Sequence, residues 1–169
     1  MVTLYVTSIE RHAGKELIIL GLIDRLRREG FRVGFFKPMG HFPTKEDDTI
    51  VDKETWLIRK HFQLEDPMTL MCPVVVTQDL LMENLEKGVR GLREKVEGAF
   101  DKICRQKDVV VVGCDHNLSE GSSLGLSGLQ LVKILKAQAL FVEKYSFSFC
   151  IDFLTEFKEI IGDPMIGVV

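Results

Sequence analysis

The chain alternates short apolar, β-branched runs with longer stretches whose apolar positions recur every three or four residues. "VTLYV" near the start reads as a strand, and "VVVV" at 109–112 is apolar on both faces, as a central parallel strand covered by helices is. The pattern predicts strands at Val2–Thr7, Arg32–Lys37, Val74–Thr77, Asp108–Gly113, Ala139–Val142 and Met165–Val169. It predicts helices at Lys15–Arg28, Lys53–Phe62, Leu85–Arg105, Leu129–Leu135 and Ile151–Ile161. Strands alternating with helices of this length imply an α/β fold, a doubly wound, mostly parallel sheet with helices on both faces. Two segments interrupt the rhythm. Residues 38–52, with Pro38, Gly40, Pro43 and an acidic patch, read as a long loop, and residues 114–128 as a polar loop rich in Gly and Ser. Both follow predicted strand ends, where open α/β sheets place ligands.

A length of 169 residues suits one domain, and 46% hydrophobic with 28% charged residues excludes a disordered chain. A net charge of -3 gives no electrostatic footprint for nucleic acid. Arg25, Arg27, Arg28 and Arg32 cluster, but around the end of the first helix, where basic side chains complement the helix dipole. No apolar run is long enough for a membrane span and the N-terminus lacks a signal-peptide layout, so a cytoplasmic protein is expected. Cys72, Cys104, Cys114 and Cys150 show no CxxC spacing and read as reduced, mostly buried thiols rather than metal ligands. The chain stops on the strand "MIGVV", as a domain or a truncated product would.

Between the first strand and helix stands "SIERHAGKEL". A phosphate site needs converging N–H groups at a helix N-terminus, a glycine that lets the chain approach, and a lysine for the phosphate oxygens. Glu10, Arg11, His12, Ala13, Gly14, Lys15, Glu16 and Leu17 are the candidate binding residues, with Lys15 the residue that meets the phosphate. The match to GxxxxGK[ST] is partial. Ile9 stands where the first glycine belongs, and Glu16 replaces the hydroxyl that would reach Mg²⁺. On the bland alternative, Glu16 merely complements the dipole of a solvent-facing helix start.

Lys37 closes the second strand, from where its amine points at the same crevice as a second catalytic candidate. His12, His41 and His116 are weaker candidates for phosphate contact, base or ligand chemistry. The group Glu46, Asp47, Asp48 and Asp52 has the charge for a divalent ion, or for an ordinary solvated loop. Ser127 is placed to cap the helix beginning near Leu129. Trp56 belongs, by its apolar neighbours Leu57 and Phe62, to the core. "YSFSF" at 145–149 is a candidate exposed patch for a homodimer.

Taken together, "LYVTSIERHAGKELIILGLIDRLRREGFRVGFFKP" resembles the opening of the dethiobiotin synthetase-like P-loop domains. Within them it is closest to the stand-alone or N-terminal domains related to phosphate acetyltransferases. Glu10, Gly14, Lys15, Gly30, Val33, Gly34, Lys37 and Pro38 stand at matching positions, and "PVVVT" at 73–77 and "LSGLQLVKILKAQALFV" at 126–142 resemble later parts. The resemblance implies a P-loop NTPase-like fold that binds ATP or another nucleotide. In one branch it implies ATP- and Mg²⁺-dependent carboxylate activation, in the other a regulatory role. The family's metal-binding positions fall on Glu16, Glu54 and Gly113, leaving Glu54, with Asp115 two residues beyond Gly113, as the candidate metal ligands. Those changes point to a degenerate P-loop domain with weak or no hydrolysis. An active ligase and a ligand-free scaffold with a regulatory protein partner are the alternatives.

Overall fold

In the computed structural model all residues are described except Arg11, Val89, His116 and Ser146, together with the side chains of Phe147, Ser148 and Phe149. The main sheet contains β1 (Val2–Thr7), β2 (Val33–Phe36), β7 (Val109–Val112), β8 (Gln138–Phe141) and β9 (Met165–Val168). Its order is β2-β7-β1-β8-β9, and every neighbouring pair is parallel. All four valines of β7 and all four residues of β2 are buried, which explains why these runs lack an alternating pattern. The helices α1 (Lys15–Arg28), α2 (Lys53–Phe62), α3 (Met68–Met71), α4 (Gln78–Lys87), α5 (Leu92–Ile103), α6 (Gly128–Ile134) and α7 (Phe147–Ile161) complete the doubly wound P-loop NTPase-like architecture. Among the described residues, no helix is long and apolar enough to cross a membrane.

Since β1 lies between β7 and β8, the segments leaving three adjacent strands meet at one edge of the sheet. That is the switch point at which such folds bind ligands. The loop after β1 runs into α1, which begins at Lys15 with Gly14 as N-cap at φ 99°. An L side chain resists that left-handed backbone, so glycine is the residue that lets β1 turn directly into α1. Glu16 in the first turn and Arg25, Arg27 and Arg28 in the last complement the α1 dipole. Arg25 and Arg28 pair with Glu29 and Asp24, and Arg32 with Asp108.

Several expectations change. Residues 38–52 are not a plain loop: β3 (Met39–Gly40) pairs with β6 (Val74–Val75), while β4 (Pro43–Glu46) and β5 (Thr49–Asp52) form an antiparallel hairpin. The strand expected at Val74–Thr77 is therefore short and lies outside the main sheet. The single helix expected at Leu85–Arg105 is two, α4 and α5, parted at Gly88 and Gly91, whose φ values of 69° and 80° break a helix. Trp56 is only half-buried. Its Nε1 donates to Glu46 3.1 Å away and Lys60 lies 4.0 Å over its ring, so it joins α2 to the hairpin rather than filling the core. Ser127 caps α6 as expected, in a reciprocal capping box with Gln130. The four cysteines are in no disulfide among the described residues, Cys72 buried and the others partly exposed. In "YSFSF", Tyr145 is exposed, and the rest lies outside the described residues or their side chains.

Candidate functional site

The site is built where β1, β2, β7 and β8 end. Lys15 carries the clearest signal, because its side chain is completely buried and its ammonium donates to Ser8 Oγ across 2.8 Å. The Ser8 hydroxyl in turn donates to Glu10 O at 2.5 Å, so the loop is tied into a tight bend around the ammonium. Among the described residues no carboxylate forms an ion pair with Lys15. A buried cation of this kind favours an incoming anion. His12 is exposed and adopts φ 57°, and Ala13 is half-buried. Glu10, Glu16 and Leu17 face solvent, and the Leu17 N–H is spent on Gly14 O, 3.1 Å away. Arg11 lies outside the described residues.

Lys37 forms the second centre. It too is buried, and it is surrounded by acid: Asp52 at 3.1 Å, Glu54 at 2.7 Å, and Asp115 in direct ion contact. Burial alone would lower the pKa of the ammonium. Asp115, Asp52 and Glu54 outweigh that effect and hold it above the ordinary lysine value. Asp52 also caps α2, accepting from Thr55 N and Thr55 Oγ1, each at 2.9 Å. Asp115 Oδ2 accepts from His41 N at 2.8 Å and lies 2.9 Å from His41 Nδ1. Burial opposes the charge on Asp115, but His41 and Lys37 prevail and keep its carboxyl well below the usual range. Glu54 is shifted the other way, raised by burial and by Asp115 against the pull of Lys37. His41 Nε2 faces Glu120 at 3.3 Å.

Glu54 and Asp115, expected as metal ligands, are thus brought together, but around the Lys37 ammonium. Among the described residues no group of three His, Cys, Asp or Glu is placed to hold a metal. At Gly113 an added Cβ would lie 3.2 Å from Ile19 Cδ1 and 3.3 Å from Phe35 Cε2. Apolar packing fills the space beside this position. Cys114 follows, its thiol raised to about 11 by burial against the hydrogen bond to Thr7. The acidic group of the 38–52 segment is split: Asp52 is buried in the site, Glu46 holds Trp56 and Arg59, and Asp47 and Asp48 are exposed at the hairpin turn. His116 lies outside the described residues. An apolar cavity of about 310 Å³ opens between α1 and α2, with Ile19, Phe35, Leu57 and Ile58 on its walls and Lys37 and Glu54 at its edge.

Two participants escaped the sequence reading. Ser8 stands before the glycine motif and lacks any signature of its own. Glu143 is the first polar residue after "ALFV", and its only signal is its place at a strand end; its carboxylate accepts the Ile9 N–H.

A model of the AAA domain family matches residues 2–154, and the chain belongs to that family. The fold and the phosphate-type loop define the same class, a P-loop NTPase-like domain capable in principle of binding a nucleotide. Among curated proteins, it is 28% identical over 145 residues to a phosphate acetyltransferase of Pseudomonas putida, covering 84% of this chain but 19% of that protein's length. Among solved structures, the kinase domain of the Escherichia coli tyrosine kinase ETK superposes with a TM-score of 0.52 at 11% identity, over 99% of this chain and 64% of that one. A nucleotide-binding protein from Archaeoglobus fulgidus in complex with ADP gives a TM-score of 0.48 at 12% identity, over 99% of this chain and 65% of that one. At 11% identity the likeness to the ETK kinase domain concerns the fold alone.

Proposed function

We propose that this chain is a degenerate P-loop domain that binds a nucleotide or another phosphate anion, with weak or no hydrolysis, in a regulatory role. The observation that carries the reading is the division of labour between the two buried lysines. Lys15 has no carboxylate ion pair among the described residues and stands behind Gly14 at the start of α1, poised for an anion. Lys37 consumes Glu54 and Asp115, the carboxylates that would otherwise serve Mg²⁺. The loop lysine is also followed by Glu16 rather than a hydroxyl, which removes the usual metal contact and adds negative charge beside the phosphate seat. A regulatory role fits the match to one fifth of a phosphate acetyltransferase and the resemblance to domains related to such enzymes.

Calorimetric titration with ATP, ADP and GTP, with and without Mg²⁺, tests the reading beside Lys15→Ala. Micromolar binding that is lost in Lys15→Ala and is indifferent to Mg²⁺ is the expected result. Strong Mg²⁺ dependence with turnover would favour the second reading, an ATP-dependent carboxylate-activating ligase. The cavity between α1 and α2, open beside Lys37, would then receive the second substrate. Binding of no nucleotide would leave a scaffold.

A further inference from the structure

Past the end of β8, Glu143 turns its side chain onto the loop that follows β1. The two strands are hydrogen-bonded neighbours, with Thr7 beside Phe141, so their C-terminal ends emerge together. The Glu143 N–H donates to Val169 O at 2.9 Å, and the Val142 N–H to Thr7 O at 2.8 Å. These bonds fix the backbone from which the carboxylate projects. Its Oε1 accepts the Ile9 N–H, and the charge of Lys15 attracts it. Burial and the Glu10 carboxylate oppose its ionisation and raise its pKa.

Backbone N–H groups on one side and a lysine ammonium behind them are what a phosphoryl oxygen meets in a loop of this kind. We infer that Glu143 is an internal anion of the loop, which an incoming phosphoryl group must displace or lie beside, so that Glu143 sets the loop's affinity for phosphate ligands. Like charges at contact distance repel strongly in a partly buried site, and the repulsion grows with the charge of the ligand. Glu143 therefore discriminates most against polyphosphates. The inference rests on the phosphate-binding reading of the loop.

The test is titration of the full chain with inorganic pyrophosphate, comparing wild type, Glu143→Gln and Glu143→Ala, with amide hydrogen exchange at Ile9 followed in parallel. The expected result is at least tenfold tighter binding in Glu143→Ala and a smaller gain in Glu143→Gln, which keeps an acceptor without the charge. The Ile9 amide should be protected in wild type and exchange faster in Glu143→Ala. Equal or weaker binding in both variants overturns the role of Glu143 while leaving the phosphate site standing. An unprotected Ile9 amide in wild type overturns it as well. If neither wild type nor variants bind pyrophosphate although Ile9 is protected, the phosphate reading itself falls and this inference with it. Should Glu143→Ala fail to fold, Glu143→Gln decides alone.

Discussion

The Lys37 ammonium lies 2.7 Å from the Glu54 carboxylate, joining the end of β2 to the first turn of α2. With Asp52 and Asp115 on the same ammonium, one cation holds together the end of β2, the start of α2 and the segment after β7. Removing one partner from a buried ion cluster leaves uncompensated charge, at a cost of about 3–5 kcal/mol. Lys37→Met should lose that much in urea denaturation, and adding Asp115→Asn should restore part of it. A loss below about 1 kcal/mol would show that the three carboxylates are satisfied without the lysine.

Asp115 gives the protein an acid limb. Its folded pKa lies below the unfolded value of about 3.9, so its contribution is present above that pH and is lost as pH falls through the folded pKa. Lys37 has the opposite sign: its contribution is full below the unfolded value of about 10.4 and is lost as pH rises through its raised folded pKa. The melting temperature should therefore fall steeply below about pH 4. Asp115→Asn should be less stable at neutrality and flatter in acid. An acid limb of unchanged steepness in Asp115→Asn would assign it to other carboxylates.

Gly40 leaves room for the Asp52 carboxylate. A Cβ there would come within 2.4 Å of Asp52 Oδ2, an overlap that must push Asp52 away from Lys37 and from the α2 N-terminus. Gly40→Ala should cost about 1–3 kcal/mol for the overpacking. Loss of the Asp52 cap should add about 1 kcal/mol. Chemical denaturation measures the sum, and a neutral effect would mean that β3 shifts freely.

Glu16 adds a negative charge beside Lys15. Glu16→Thr removes that charge and supplies the hydroxyl found in metal-assisted phosphate loops. ADP should bind roughly tenfold more tightly, from about 1.4 kcal/mol of relieved repulsion. Calorimetry decides, and unchanged affinity would place the ligand phosphates away from the first turn of α1.

Much of this could be read from the residues in order. Strand and helix periodicities located β1, α1, β2, β7 and α6 because each is set by neighbours three or four positions apart or by a continuous apolar run. The break between α4 and α5 was missed although Gly88 and Gly91 stand in the sequence, since the flanking residues keep a helical pattern across it. The hairpin of β4 and β5 was missed because Pro43, Glu46 and Asp47 look like loop chemistry, and pairing with a partner strand overrode that local preference.

The candidate site divides along the same line. The sequence by itself determined the phosphate-type loop: Gly14, Lys15 and Glu16 act through the local geometry of a strand running into a helix. Only the tertiary structure decided what the acidic groups do. Asp52, Glu54 and Asp115 lie 15, 17 and 78 residues beyond Lys37 in the chain; the pairing of β2 with β7 brings Asp115 to it, and the end of β5 with the first turn of α2 brings Asp52 and Glu54. Glu143, 134 residues from Ile9, reaches the loop because β8 lies beside β1. Charge interactions depend on distance in space, and a parallel sheet sets that distance through long connections that local pattern does not encode.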